Sequence, residues 1–296
     1  MPSARLSINA AAINRGIAVL GSTTIDRNII GRTVHLKIGG VTAYAGLTYR
    51  RHGLNTRAVT NVAQADALIL NVLTQNGIRI AGGPSAFTTR FINRVESGHR
   101  RQEAPSLAAP VVYAQLADHA AEVDCVHLGP LHPDDIDPRL FEQLSSLPAL
   151  KVLDVQGLVR KIVAGRVEPA VSEHLAAALE AAEIVKSDED ELLLILNAFG
   201  TSVEGLMGRF KISEWVMTSG SRGGCIHTTG LGRQPYAPAP ISAVMDPTGA
   251  GDVFFAAYIV ARLWNRKEPA EAARHAAKLA ADHIAGRYLG NLCIIP

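Results

Sequence analysis

Along the chain, short runs of β-branched and aliphatic residues alternate with stretches in which apolar positions recur every third or fourth residue. The runs fit strands buried on both faces, and the recurrent stretches fit helices with one core-facing stripe. Ile17–Gly21, Arg57–Val62, Val123–Leu128, Lys151–Val155, Glu183–Lys186 and Glu214–Thr218 are predicted strands. Val41–His52, Ala65–Asn76, Asp137–Leu147, Val171–Ala182, Asp188–Phe199, Gly249–Trp264 and Glu268–Ala285 are predicted helices. Gly53, Gly77, Gly200 and Gly286 stand just past four of the helices, and Pro269 opens the last one. These are stop and start signals. Strands separated by helices predict βαβ units with right-handed crossovers, hence a doubly wound, mostly parallel α/β sheet.

Two stretches break the rhythm. Ile29–Ile38 and Ala86–Gln102 are rich in Thr, Arg and β-branched residues and carry no helical stripe. They predict a small β-sheet lid, with segments 29–38 and 86–110 inserted into a domain spanning 15–296. Residues 1–14, with Arg5 and no acid, are expected to be a flexible tail.

Composition narrows the classes. The 296 residues are 48% hydrophobic and 19% charged, which is enough apolar surface for a sizeable core and excludes wholesale disorder. A net charge of +2 gives no electrostatic footprint for nucleic acid. The longest apolar run, Val253–Ala261, is roughly half of what a spanning helix needs, so no membrane partner is expected. Cys125, Cys225 and Cys293 are few, odd in number and far apart, which fits a reducing, cytoplasmic setting.

Several chemistries lack their motif. There is no G-x-x-x-x-G-K-[ST], no G-x-S-x-G and no H-E-x-x-H. The first strand runs into Gly21-Ser22-Thr23-Thr24-Ile25-Asp26, which is not the G-x-G-x-x-G of nicotinamide binding. Cys125, His127, His132 and Asp134 read as a strand entering a loop rather than as a metal set.

The informative segment is Asp246-Pro247-Thr248-Gly249-Ala250-Gly251-Asp252, which opens an apolar helix. Glycines let a ligand approach the backbone, and the first N–H groups of a helix have no intrahelical partner. With the helix dipole they form a site for phosphate. An aspartate in a first turn is ordinarily a dipole-favoured surface residue. Asp252, however, begins a helix that is apolar on nearly every side, so its carboxylate is expected inside the protein, next to an anion site. A carboxylate kept there against like-charge repulsion suits the removal of a proton from an attacking hydroxyl.

The segment resembles the second signature of the PfkB, or ribokinase-like, carbohydrate kinase family, Asp-Thr-x-Gly-Ala-Gly-Asp, with Pro247 as a variant. The resemblance runs along nearly the whole chain. Gly39-Gly40 resembles the family's N-terminal Gly-Gly signature, and Gly21–Asp26 its substrate-binding first-strand segment. Lys186-Ser187-Asp188-Glu189-Asp190 is similar to the Asn-x-x-Glu stretch, and Val216–Gly223 to the Thr-x-Gly-x-x-Gly nucleotide stretch.

The resemblance implies a Rossmann-like kinase with a β-sheet lid that uses ATP and Mg²⁺, a monovalent cation being left open. It implies Asp252 as general base and the Gly249, Ala250 and Gly251 amides as anion hole. Asp26, Gly39, Gly40, Tyr44, Gln156 and Arg160 would face the substrate. Lys186, Ser187, Thr218, Gly220, Arg222, Gly223, His275 and Leu279 would line the nucleotide site, and Asp190 with Glu191 would act on Mg²⁺ through water. Tyr44 stands where the family often has Asn, and Ser187 and Asp190 replace the commoner Asn and Glu. The expected partner is a small sugar, cyclitol such as inositol, or nucleoside, with a lean towards the inositol and nucleoside branch. A homodimer through the lid edge is plausible, since exposed strand edges invite pairing. The alternative is a catalytically silent sugar- or nucleotide-binding sensor of the same fold.

Overall fold

A computed structural model describes residues 15–30, 33–96, 99–241 and 243–289. The expected tail, 1–14, and Cys293 lie outside the described residues. In chain order, β1 (Gly16–Leu20), β2 (Thr24–Ile30) and β3 (Thr33–Gly39) precede α1 (Val41–Arg51) and β4 (Asn55–Val59). Then come α2 (Asn71–Gln75), β5 (Arg79–Ala81), β6 (Arg90–Glu96), β7 (His99–Ser106), α3 (Ala114–Ala117) and β8 (Cys125–Leu128). Next are α4 (Pro138–Leu144), β9 (Leu150–Asp154), β10 (Arg160–Val163), β11 (Arg166–Pro169), α5 (Leu175–Ala181) and β12 (Ile184–Asp188). The chain continues through α6 (Glu189–Phe199), α7 (Val203–Phe210), β13 (Glu214–Thr218), β14 (Gly224–Thr228), β15 (Gly232–Tyr236), α8 (Ala250–Ile259) and α9 (Pro269–Ile284).

Nine strands form the large sheet in the order β15-β14-β13-β12-β9-β8-β1-β4-β5. Its strands are parallel from β13 to β5, and β14 and β15 add an antiparallel edge. The strand order reverses at β1, whose neighbours are β4 on one side and β8 on the other. Crevices that bind ligands in such sheets lie beyond the carboxyl ends of the strands, near that reversal. The period of two along β1 sends Ile17 and Val19 to one face and Ala18 and Leu20 to the other. The first face is covered by α8 and α9, and the second by α4, α5, α6 and α7.

Helix α8 is apolar all round because it is walled in. Every residue from Val253 to Ile259 is buried, between the sheet, α1 and α9. Each large side chain so enclosed contributes roughly 1.5–3 kcal/mol. That anchorage makes the start of α8 a rigid platform.

The second sheet has six strands, in the order β10-β11-β7-β6-β2-β3, all antiparallel neighbours except β2 and β6. The two β-rich stretches are therefore strands as expected, and the α/β architecture with a mostly parallel sheet and a smaller second one is borne out. Several details differ. The second sheet also recruits the β10–β11 hairpin, where the sequence suggests only a loop after a strand. The predicted helix over 65–76 is a 3₁₀ turn over Gln64–Leu70 followed by the short α2. Its apolar residues run consecutively instead of forming one stripe, and Leu68 is left exposed. The helix expected to reach Trp264 changes at Val260 to a π-helical turn. Helix α7 and strands β14 and β15 have no counterpart in the predicted elements.

Candidate active site

The loop before α8 is fixed from three sides. Gly249 takes φ 77°, and a Cβ there would stand 2.3 Å from the Tyr44 ring, so only glycine fits both the conformation and the space. The His283 ring nitrogen Nε2 lies 2.8 Å from Thr248 O and acts as its N–H donor, and the same ring meets Tyr44 edge-on. Asp246 forms an ion pair with Lys37 of β3, which ties this loop to the small sheet.

No side chain caps α8. The Ala250 amide turns back to Pro247 O at 3.2 Å. Among the described residues, the amides of Gly249 and Gly251 have no partner. Of the three amides expected to form an anion hole, that of Ala250 is therefore used within the loop.

Asp252 lies in a cavity of about 280 Å³ between the two sheets. Burial, reinforced by Asp154 and Asp26, raises its carboxyl to about 7, against the lowering pull of Lys186 and Arg160. Lys186, on β12, donates from Nζ to Asp154 Oδ2 at 2.9 Å, at the carboxyl end of β9. Both are nearly enclosed, with 5% and 4% exposure. Burial alone would lower the Lys186 ammonium; Asp154, Glu191 and Asp252 outweigh it and hold the group charged, above the ordinary lysine range.

Of the residues expected at the substrate, Asp26, Gly40, Tyr44, Gln156 and Arg160 line this cavity together with Asp252. Gly39 backs it instead: a Cβ there would meet Asp26 Oδ2 at 2.3 Å. Asn28, Asn93 and Gln102, on β2, β6 and β7, are further lining residues that sequence reasoning missed.

A second cavity, about 720 Å³ and largely apolar, meets the first at Pro247, Ala250 and Gly251. Thr218, Gly220 and Gly223, three of the residues expected at a nucleotide, line it together, with Tyr236 and Phe254 stacked at 5.4 Å on its wall. Helix α9 presents Ala277, Ala280, Ala281 and Ile284 to it, one stripe of helical spacing. His275 and Leu279 belong to the other side of that helix, His275 facing His52 at 6.2 Å and Leu279 packing into the core. Neither lines the cavity; the stripe of α9 that does is turned by about half a turn of helix from them. Arg222 is exposed and paired with Glu189 rather than lining the cavity. Ser187 is buried, and its hydroxyl accepts a hydrogen bond from the Trp215 indole at 2.9 Å.

Asp188 caps α6 and Glu191 completes the capping box, each carboxylate accepting the other's amide at 2.7 Å. Glu191 is turned inward: burial raises its carboxyl to about 7, while Lys186 pulls it down. Asp190 is exposed. Among the described residues, no three His, Cys, Asp or Glu side chains are grouped so as to cage a metal ion.

Residues 14–291 match the family model for pfkB family carbohydrate kinases. The chain belongs to the pfkB carbohydrate kinase family. Solved structures agree on the fold. A pyrophosphate-dependent kinase in the ribokinase family superposes with TM-score 0.79 at 21% identity, over 93% of this chain and 97% of its own. Burkholderia thailandensis nucleoside kinase in complex with inosine gives 0.74 at 18%, covering 93% of each chain. Ribokinase from Thermotoga maritima gives 0.70 at 21%, over 91% of this chain and 92% of its own. The sequence matches no curated protein. As a pfkB member the chain is a kinase of the carbohydrate kinase type, and no described helix is long and apolar enough to cross a membrane.

Proposed function

We propose that this pfkB kinase transfers the γ-phosphoryl group of ATP to a hydroxyl of a small polyhydroxylated substrate, a sugar, cyclitol or nucleoside, in the 280 Å³ cavity. The observation that carries the reading is the meeting of two unlike cavities at the start of α8, with Asp252 on the polar side and the unpaired Gly249 and Gly251 amides between them.

The acceptor oxygen attacks phosphorus, the bond to the β-phosphate oxygen breaks, ADP leaves, and Asp252 takes the hydroxyl proton. A carboxyl poised near 7 suits that role at neutral pH. The amides of Gly249 and Gly251 meet charge that develops on the transferred group. Lys186, held by Asp154, adds a fixed positive charge beside Gly251. Glu191, the inward carboxylate of α6, would help to hold Mg²⁺, which usually takes one or two carboxylates plus phosphate oxygens and water and neutralises phosphate charge. Asp26, itself hydrogen-bonded to Thr24 at 2.7 Å, positions the acceptor. The small sheet serves as the lid that keeps water out.

The donor distinguishes this chain's site from one built for pyrophosphate. Pyrophosphate needs only the anion hole, whereas a largely apolar cavity of about 720 Å³ beside it suits a nucleoside. The test is phosphate transfer across a panel of acceptors with either ATP or pyrophosphate, each with Mg²⁺. The reading expects turnover with ATP and at least about tenfold lower kcat/KM with pyrophosphate, the loss of a whole apolar contact surface. Preference for pyrophosphate would overturn the donor assignment.

A further inference from the structure

Behind the loop that opens α8 stands an imidazole that the proposed reaction does not use. His283, in the last turn of α9, is buried and lines neither the cavity of Asp252 nor the apolar one. Its Nε2 donates to Thr248 O at 2.8 Å, and its ring meets Tyr44 edge-on with centroids 5.5 Å apart. The next residue of α9 grips the same loop: Ile284 O accepts from the amides of Met245 at 2.9 Å and Asp246 at 3.2 Å. Burial lowers the His283 imidazole below its ordinary range, although Thr248 O and Asp246 pull it up. The ring is therefore neutral at pH 7 and carries one proton, which the bond to a carbonyl places on Nε2. Nδ1 is buried with no hydrogen-bond partner among the described residues.

Thr248 O and the Gly249 N–H belong to one peptide group. A trans peptide is planar, and its C=O and N–H point in opposite directions. A donor that holds the oxygen on the α9 side therefore aims the N–H away from α9. Gly249 itself lines the cavity of Asp252. Without that bond the peptide would be free to turn over. Tyr44 leaves no room for a Cβ at Gly249, whose φ is 77°, yet glycine takes negative φ as readily as positive. A turned peptide would offer a phosphate the Thr248 carbonyl in place of the amide and replace attraction by repulsion. The neighbouring peptides are held separately, Thr248 N–H by Asp246 Oδ1 at 2.9 Å and Ala250 N–H by Pro247 O at 3.2 Å. The bond to His283 also polarises the peptide, which strengthens the Gly249 N–H as a donor.

We propose that His283 is a positioning residue of the anion hole: its Nε2–H holds Thr248 O, locks the Thr248–Gly249 peptide against turning over, and so keeps the Gly249 amide aimed at the transferred phosphoryl group. It acts through the backbone and touches neither donor nor acceptor. The proposal rests on the kinase reading above and adds to it the side chain that sets the geometry of the anion hole.

The experiment compares the wild type with His283→Phe, His283→Leu and His283→Gln. Phenylalanine keeps a ring against Tyr44 and removes the donor, leucine removes both, and glutamine restores an N–H at similar reach. Steady-state kinetics with ATP, Mg²⁺ and the best acceptor of the panel should show kcat lower by about 10- to 100-fold in the Phe and Leu variants, with both KM values within about threefold of wild type. The Gln variant should recover kcat to within about fivefold of wild type. In parallel, ¹H–¹⁵N spectra follow the Gly249 amide as inorganic pyrophosphate with Mg²⁺ is added. That resonance should move in the wild type and the Gln variant and stay in place in the Phe and Leu variants. An unchanged kcat in a folded Phe or Leu variant overturns the proposal, as does a Gln variant as slow as these. If no acceptor turns over with the wild type, the kinase reading fails and the pyrophosphate titration decides alone. A Gly249 amide that is silent in the wild type, or that responds equally in a donor-less variant, then overturns the proposal. Ring ¹⁵N spectra of the wild type need no variant, and a proton on Nδ1 in place of Nε2 overturns it as well.

Discussion

The two cavities that meet at Gly251 are opposite in character. One is small and lined by carboxylates, amides, an arginine and a lysine; the other is more than twice as large and walled mostly by alanine, proline, isoleucine and aromatic rings. The polar one is built largely from the small sheet and the strand ends of the large one. The apolar one is built from α8, α9 and the segment after β15. Polar groups fix orientation where a bond must form, whereas an apolar surface gives affinity with little directional demand. In the proposed function, the reacting hydroxyl therefore belongs in the first cavity and the non-reacting part of the donor in the second.

Removing the base should break the contrast most severely. Asp252→Asn is expected to lower kcat by about 10²–10⁴-fold with little change in ATP affinity, read by steady-state kinetics alongside calorimetric ATP binding. Gly249→Ala comes next. Its methyl group would collide with the Tyr44 ring and hold a non-glycine residue at positive φ, at a cost of about 2–4 kcal/mol in stability, measured by denaturant unfolding. A smaller, one-sided effect is expected on the apolar side. Ala277→Leu should raise KM for ATP about tenfold and leave KM for the acceptor unchanged. A change in acceptor KM of the same size would mean that the two cavities are not separate subsites.

The two sides also differed in how far the sequence revealed them. The start of α8 was legible because small residues ahead of an unbroken apolar helix have few other uses, and Asp252 stands at that boundary. The Gly39-Gly40 turn was legible for a similar reason: Gly40 takes φ 86°, and a Cβ would meet Ser22 O at 2.1 Å. The side-chain amides of the polar cavity were not. Asn28, Asn93 and Gln102 lie 65 and 9 residues apart, and an asparagine in a Thr- and Arg-rich strand looks like a solvent-facing residue until the strands are paired. Arg160 was singled out, but the hairpin that carries it was not, because its β10–β11 pairing closes on β7 far upstream. Asp154 and Lys186 did leave a signal: both are charges carried within the short strands Leu150–Asp154 and Ile184–Asp188, and charges there are costly to bury unless paired. His275 and Leu279 differ in helix phase from the residues of α9 that line the apolar cavity. The cavity-lining stripe follows Ala277, and two positions turn a side chain by about 200°.

The charge around Asp252 gives the central claim a direct readout. Protonation of this carboxyl disables a base, so kcat/KM for the acceptor should fall as the pH drops below about 7, where burial has placed it. Asp154 pushes the group upward and Lys186 pulls it down. Asp154→Asn removes the first influence and frees the second, and so should move the acid limb to lower pH. The decisive measurement is the pH profile of kcat/KM for wild type and Asp154→Asn, recorded side by side from pH 5 to 9. A limb near pH 7 in the wild type that shifts acidward in the variant is the expected result. A flat wild-type profile, or a limb that ignores the loss of Asp154, would contradict Asp252 as the proton acceptor.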